Sequence, residues 1–237
     1  MKKLNVLVMG LLVAGGMMLS GCLKEDNPVK PSNEPETPQI DERVEVVVPE
    51  EFRTEIEQFI PIYDGVTPPN VEGAYYMDPE ILTGSSRSGD SYGDHYASEY
   101  QRFSNQDMKK NTINLVRVQG GGIEWMKGAG AFISGSENNF TIYFDMEGEV
   151  SGVPVKEAIV VSGTKTAEGV QNLSWGFVLK EKGDDPYGNV VDVGTYRIFT
   201  DEDGLSEAVE WPYAGDERYD ARKHFVEGVL PLSHDVK

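Results

Sequence analysis

The chain has 237 residues, 40 of them Asp or Glu and 21 Lys or Arg, for a formal charge of −19 at pH 7. A surface of that balance is repelled by nucleic acid and by anionic membrane surfaces, which need clustered Lys and Arg. With one cysteine, Cys22, the chain has no internal disulfide or CxxC pair, and the residues after it have no thiol for a metal site or a nucleophile.

Residues 1–21 have the three parts of an export signal: Lys2 and Lys3 as the positive end, Leu4 to Met18 as the apolar middle, then small residues before a cut. A membrane-spanning helix needs about 20 apolar residues, and this run is shorter and broken by glycine. Leu19-Ser20-Gly21-Cys22 resembles the lipobox of bacterial lipoproteins. That resemblance implies a diacylglycerol on the Cys22 thiol, cleavage before it and acylation of the new amino terminus. Because stable anchoring takes more than one acyl chain, such a Cys22 holds the protein on a membrane without spanning it. Lys24-Glu25-Asp26 resembles the surface-export signal of Bacteroidetes lipoproteins, which implies an outer-membrane protein facing the exterior. Loss of Lys2 and Lys3 with the signal takes the charge from −19 to −21.

Residues 22–43 carry Pro28, Pro31, Pro35 and Pro38, several acids and no aromatic residue, a composition that buries too little to order itself. They read as a tether that spans up to roughly 60 Å when extended. Residues 44–237 are expected to form one domain, held by its core alone. It opens with the β-branched stretch Val44 to Val48. Pro49 then stands where a helix favours its first residue, with Glu50 and Glu51 in the first turn. Phe52, Ile56, Phe59 and Ile60 follow at helical spacing, so the sequence predicts one short amphipathic helix ending before Pro61 and serving as a lid or buttress.

From Val71 the pattern changes to short β-type runs between turn residues. Eight are predicted: Val71–Met77, His95–Phe103, Thr112–Val118, Glu124–Ile133, Phe140–Asp145, Val155–Ser162, Asn172–Glu181 and Val190–Thr200. Turns are marked by Asn105-Gln106-Asp107, Gly120-Gly121-Gly122, Ser136 to Asn139 and Gly183 to Pro186. Alternation sets Phe140, Ile142 and Phe144 on one face, and likewise Leu173, Trp175, Phe177 and Leu179. Short connections without helices favour a mostly β, antiparallel up-and-down meander, and eight strands of this kind can close into a barrel without exposed edges. Asn70-Val71-Glu72-Gly73-Ala74-Tyr75 resembles the Gly-x-Trp entry of lipocalin-like barrels, with Tyr75 in place of the tryptophan. More broadly, Pro68 to Gly73, Phe103 to Gln106, Phe132 to Gly135 and Gly194 to Arg197 resemble a group of Bacteroidetes surface lipoproteins, a resemblance that implies no activity. The segment from Asp201 to Lys237 is polar and is expected to pack across the barrel or to add a strand.

The chemistry legible in the chain is sparse. His95, His224 and His234 are scattered, with no H-E-x-x-H pair. Asp94-His95 has no Gly-x-Ser-x-Gly elbow to serve, and Gly120-Gly121-Gly122 lacks the Lys and Ser/Thr of a phosphate loop. Asp201-Glu202-Asp203-Gly204 with Glu207 resembles half of a calcium loop, making Asp201, Asp203 and Glu207 candidate metal ligands, although an acidic turn explains them as well. No cofactor is implied, and the chain reads as a non-catalytic binding protein. One route to binding is a barrel cavity of a few hundred Å³ for an apolar or amphipathic small molecule. The other is a glycan platform of Tyr92, Trp125, Trp211 and Tyr213, as part of a nutrient-capture assembly. A purely structural coat, or a module that binds a protein partner, is the third expectation.

Overall fold

The computed structural model describes residues 42–120 and 124–213. Cys22, Lys24, Glu25 and Asp26, the signal, most of the tether, His224 and His234 lie outside them. The described residues form two short helices and eleven strands. The helices are α1 (Glu42–Val47) and α2 (Glu50–Ile56). The strands are β1 (Gly73–Met77), β2 (Glu80–Ser85), β3 (His95–Tyr96), β4 (Glu99–Asp107), β5 (Thr112–Gln119), β6 (Glu124–Ser136), β7 (Asn139–Val150), β8 (Val153–Lys165), β9 (Gly169–Lys182), β10 (Tyr196–Asp201) and β11 (Leu205–Val209).

All eleven strands belong to one antiparallel sheet, and from β4 to β10 each pairs with the next, the meander that short hairpins dictate. The count differs from the expected eight because the run His95–Phe103 is split in two and because β2 and β11 fall outside the predicted runs. Pro79, which has no N–H to give a ladder, separates β1 from β2. Ala97 and Ser98 separate β3 from β4, and the turn Glu202–Gly204 separates β10 from β11. The pairings across these breaks are continuous: β1 and β2 run beside β11 and β10 in turn, from Ala74 opposite Val209 to Ser85 opposite Arg197. β11 also pairs with β9, Leu205 opposite Gln171, so the ladder from β1 through β4 to β9 returns through β11 to β1.

The faces follow the period of two. Phe140, Ile142, Phe144 and Met146 of β7 join Leu173, Trp175, Phe177 and Leu179 of β9 in the main core cluster, with Tyr75, Phe103 and Leu115. The other face of the sheet presents Tyr143, Ala158, Val160, Val178 and Ile198 to Val44, Val48, Phe52, Ile56 and Ile60. The helical segment is thus a buttress on the outside of the sheet, and full burial of each large apolar side chain contributes roughly 1.5–3 kcal/mol. Gly176 and Gly84 make the close approach feasible, since a Cβ on Gly176 would lie 2.9 Å from Ile198 and one on Gly84 3.1 Å from Phe59.

Two helices stand where one was expected. The β-branched stretch is helical because Val44 and Val48, four residues apart, reach the same apolar surface, and burial outweighs their modest helix preference. Arg43 adds to the docking, its Nη1 donating to the Lys110 carbonyl at 2.7 Å and its guanidinium lying 3.9 Å from the Phe132 ring centre. The turn expected at Asn105 to Asp107 is instead a bulge at the end of β4, with Asn105 at φ 53°.

Candidate functional site

At the end of the sheet where β5 passes to β6 and β9 to β10, the inward positions cease to be apolar. The alternation that puts Leu115 in the core puts Arg117 there too, and that of Val155 and Ile159 also turns Glu157 inward. Glu80 of β2, Glu99 and Gln101 of β4 and Glu124 of β6 complete the group. Arg117 is 1% exposed. Its Nε donates to Glu99 Oε1 at 2.9 Å, Nη2 contacts Glu99 Oε2, and Nη2 also lies 3.1 Å from Glu124 Oε1. The guanidinium sits 3.4 Å from the Trp175 ring centre, and the Trp175 indole N–H donates to Glu80 Oε1 at 2.6 Å. Gln101 Nε2 donates to Glu99 Oε1 at 2.7 Å.

Four carboxyl groups thus gather near one guanidinium, those of Glu80, Glu99 and Glu157 buried and that of Glu124 partly exposed. Burial, then repulsion from Glu99, pushes Glu80 well above the usual carboxylate range against the attraction of Arg117. Burial likewise raises Glu124, and burial with repulsion from Glu124 pushes Glu157 up to about 8. Desolvation opposes the charge on Arg117, but Glu99 and Glu124 hold it firmly protonated. Among the described residues, Glu157 Oε2 and Arg117 Nη1 are buried without a hydrogen-bond partner.

Beside this group lies a cavity of about 390 Å³. Glu80, Glu124 and Glu157 line it on one side, and Trp175, Phe177 and Phe199 form an aromatic wall, with Trp175 and Phe199 stacked at 4.7 Å. The rim is made by His95 and Tyr96 and by Asn189 to Val191 of the β9–β10 loop. One aspartate braces each rim loop. Asp90 accepts two hydrogen bonds from Arg197, at 2.7 and 2.9 Å, and one from Ser85 at 2.7 Å. Burial alone would raise Asp90, but these bonds hold it down at about 2. Asp185 accepts from the backbone N–H groups of Asn189 and Val190, at 2.8 and 3.0 Å, which shapes the other loop.

The residues singled out from the sequence are distributed differently. Tyr92 is 64% exposed on the β2–β3 loop and meets Phe59 edge-on at 6.2 Å. Trp125, Trp211 and Tyr213 do come together, in an outer-face cluster with Val118 and Tyr100. Trp211 and Tyr213 are 5.2 Å apart, and Tyr213 is buried. Trp125 also lines an open hollow of about 450 Å³ with Lys156 and Glu181. Trp175, expected to be a core residue, is one and forms a cavity wall as well.

Asp201 is buried and accepts from Ser206 Oγ at 2.7 Å, its carboxyl pushed up to about 6 by burial. Asp203 accepts from the Leu205 N–H at 2.9 Å as an acidic turn does, and Glu207 is an exposed strand residue. Among the described residues no group of three or more His, Cys, Asp or Glu is placed to hold a metal ion. His95 is partly exposed, with Nε2 3.3 Å from Glu202 Oε2.

Sequence reasoning missed Glu80, Glu99, Arg117, Glu124 and Glu157. Their signal was a charged residue at an inward position of an apolar alternation, as with Glu157 between Val155 and Ile159. Comparison of the chain with protein-family models, curated proteins and solved structures finds no match.

Proposed function

We propose that this is a lipid-anchored, outward-facing surface protein that binds a small amphipathic molecule without transforming it. In this reading the eleven strands lie along eight staves of a lipocalin-like barrel, β1 with β2, β3 with β4 and β10 with β11 each making one. The supporting observation is the cavity of about 390 Å³, large enough for a small organic molecule, with an aromatic wall facing an acidic one. Rim loops braced by Asp90 and Asp185 keep its mouth formed before a ligand arrives, which lowers the ordering cost of binding. The anchor in this reading is Cys22. The chain from residue 23 onward, made without the lipid, tests this reading by thermal unfolding against a small-molecule panel. A ligand at about a hundred times its Kd stabilises by about 2.7 kcal/mol, a Tm rise of about 5–10 °C. Absence of any shift across amphipathic amines, acids and alcohols contradicts the reading.

A second reading, a glycan or protein partner on the outer face, is supported by Trp125 at its open hollow beside Trp211. Burial of Tyr213 leaves that platform short of stacking area, so the cavity is favoured.

A further inference from the structure

Resting on the ligand-binding reading, we propose that the cavity is built for an organic cation: an ammonium group seated at Glu157 and Glu124, with an apolar body against Trp175, Phe177 and Phe199. Charge balance carries the argument. Glu80, Glu99, Glu124 and Glu157 face a single interior cation, Arg117, whose bonds go to Glu99 and Glu124. Glu157 is 3% exposed and lines the cavity, and its Oε2 has no partner among the described residues. The guanidinium that does line the cavity, Arg197, is committed to Asp90 through two hydrogen bonds. An anionic ligand would face four carboxyl groups against one guanidinium, and a wholly apolar one would leave the buried Glu157 carboxyl without a partner at a cost. A cation supplies the missing donor. The aromatic wall and the volume suit an amine with a carbon skeleton, and the described residues provide no three-donor cluster for a bare metal ion.

Without a ligand, a proton does the same work. The charged groups around Glu157 are Glu124, Arg117 and Glu99, with Glu80, Asp94, His95 and Arg197 also on the cavity, and burial with repulsion from Glu124 leaves Glu157 protonated up to about pH 8. An arriving ammonium displaces that proton. Binding at pH 7 therefore releases close to one proton per amine, and affinity rises with pH up to about 8.

The test is isothermal titration of the chain from residue 23 onward with three probes of one shape: 2-phenylethylamine, 2-phenylethanol and 3-phenylpropionate. The amine is expected to bind roughly ten- to a hundredfold tighter than the alcohol, the advantage of a charge-assisted hydrogen bond, and the acid weakest. Titrations in two buffers of different ionisation enthalpy are expected to show the proton release. The E157Q variant is expected to lose the release and most of the amine's advantage. Should that variant not fold, the ranking of the three probes on the unaltered chain still decides. Equal or tighter binding of the alcohol or the acid overturns the cation inference and leaves the ligand-binding reading standing. Silence from all three probes at millimolar concentration contradicts both.

Discussion

Around Phe103, Phe140 and Leu173 the interior is packed apolar side chain on apolar side chain, whereas around Arg117, Glu80, Glu124 and Glu157 it is charged and adjoins a hollow. Both regions occupy inward positions of the same sheet, so neither the backbone nor the hydrogen-bond ladder accounts for the difference. Apolar packing stabilises a fold at little risk, because no polar group needs a partner. A buried group of four acids and one base is costly to desolvate, and replacing such a group with apolar residues often stabilises a protein. Under the proposed function the charged end serves binding, and the apolar end supplies the stability that tolerates it.

That contrast can be broken from either side. Arg117→Ala strands Glu99 and Glu124 without their cation and is expected to cost about 3–5 kcal/mol in urea unfolding. Phe140→Ala in the apolar end is expected to cost a similar 3–5 kcal/mol, through lost transfer energy and a cavity. The two differ in how they are repaired. Glu99→Gln added to Arg117→Met recovers part of the first loss, because it removes a charge, while no change of charge recovers the second.

Outside the sheet, Gly176→Ala pushes a methyl group against Ile198 and is expected to cost about 1–3 kcal/mol by crowding the helix buttress. The last contrast is one of pH dependence. Glu157 binds its proton more tightly folded than unfolded, so between about pH 4.5 and 8 the folded chain holds more protons and stability falls as pH rises. The slope approaches 1.4 kcal/mol per pH unit for each such group, and Glu80 and Glu124 act in the same direction. A Tm series from pH 5 to 8 is expected to decline, less steeply in E157Q.

Much of the scaffold was legible because alternation is strong where one face is apolar, as in Phe140 to Phe144 and Leu173 to Leu179. β2 was not, because its buried face reads Glu80, Leu82 and Gly84, in which a charge and a glycine hide the period. The helix at Val44 was hidden by β-branching, since the surface that stabilises it comes from strands about 90 to 155 residues later. The charged interior escaped notice for a related reason. In a chain with 40 acidic residues a single Glu carries no information until its face is known, and Arg117 and Glu99 meet only through the pairing of β4 with β5. The outer aromatics were found by type alone, and type does not separate a platform from a packed cluster.

The chain's three tryptophans divide between the two sites in question, so their indole N–H signals offer the most direct test. Trp175 lines the cavity and donates to Glu80, while Trp125 and Trp211 sit in the outer-face cluster. In a nuclear magnetic resonance titration of 15N-labelled protein with 2-phenylethylamine, the Trp175 indole signal is predicted to move in a saturable way while the other two stay in place. Movement of Trp125 or Trp211 with Trp175 unchanged would contradict an interior binding site and place recognition on the outer face.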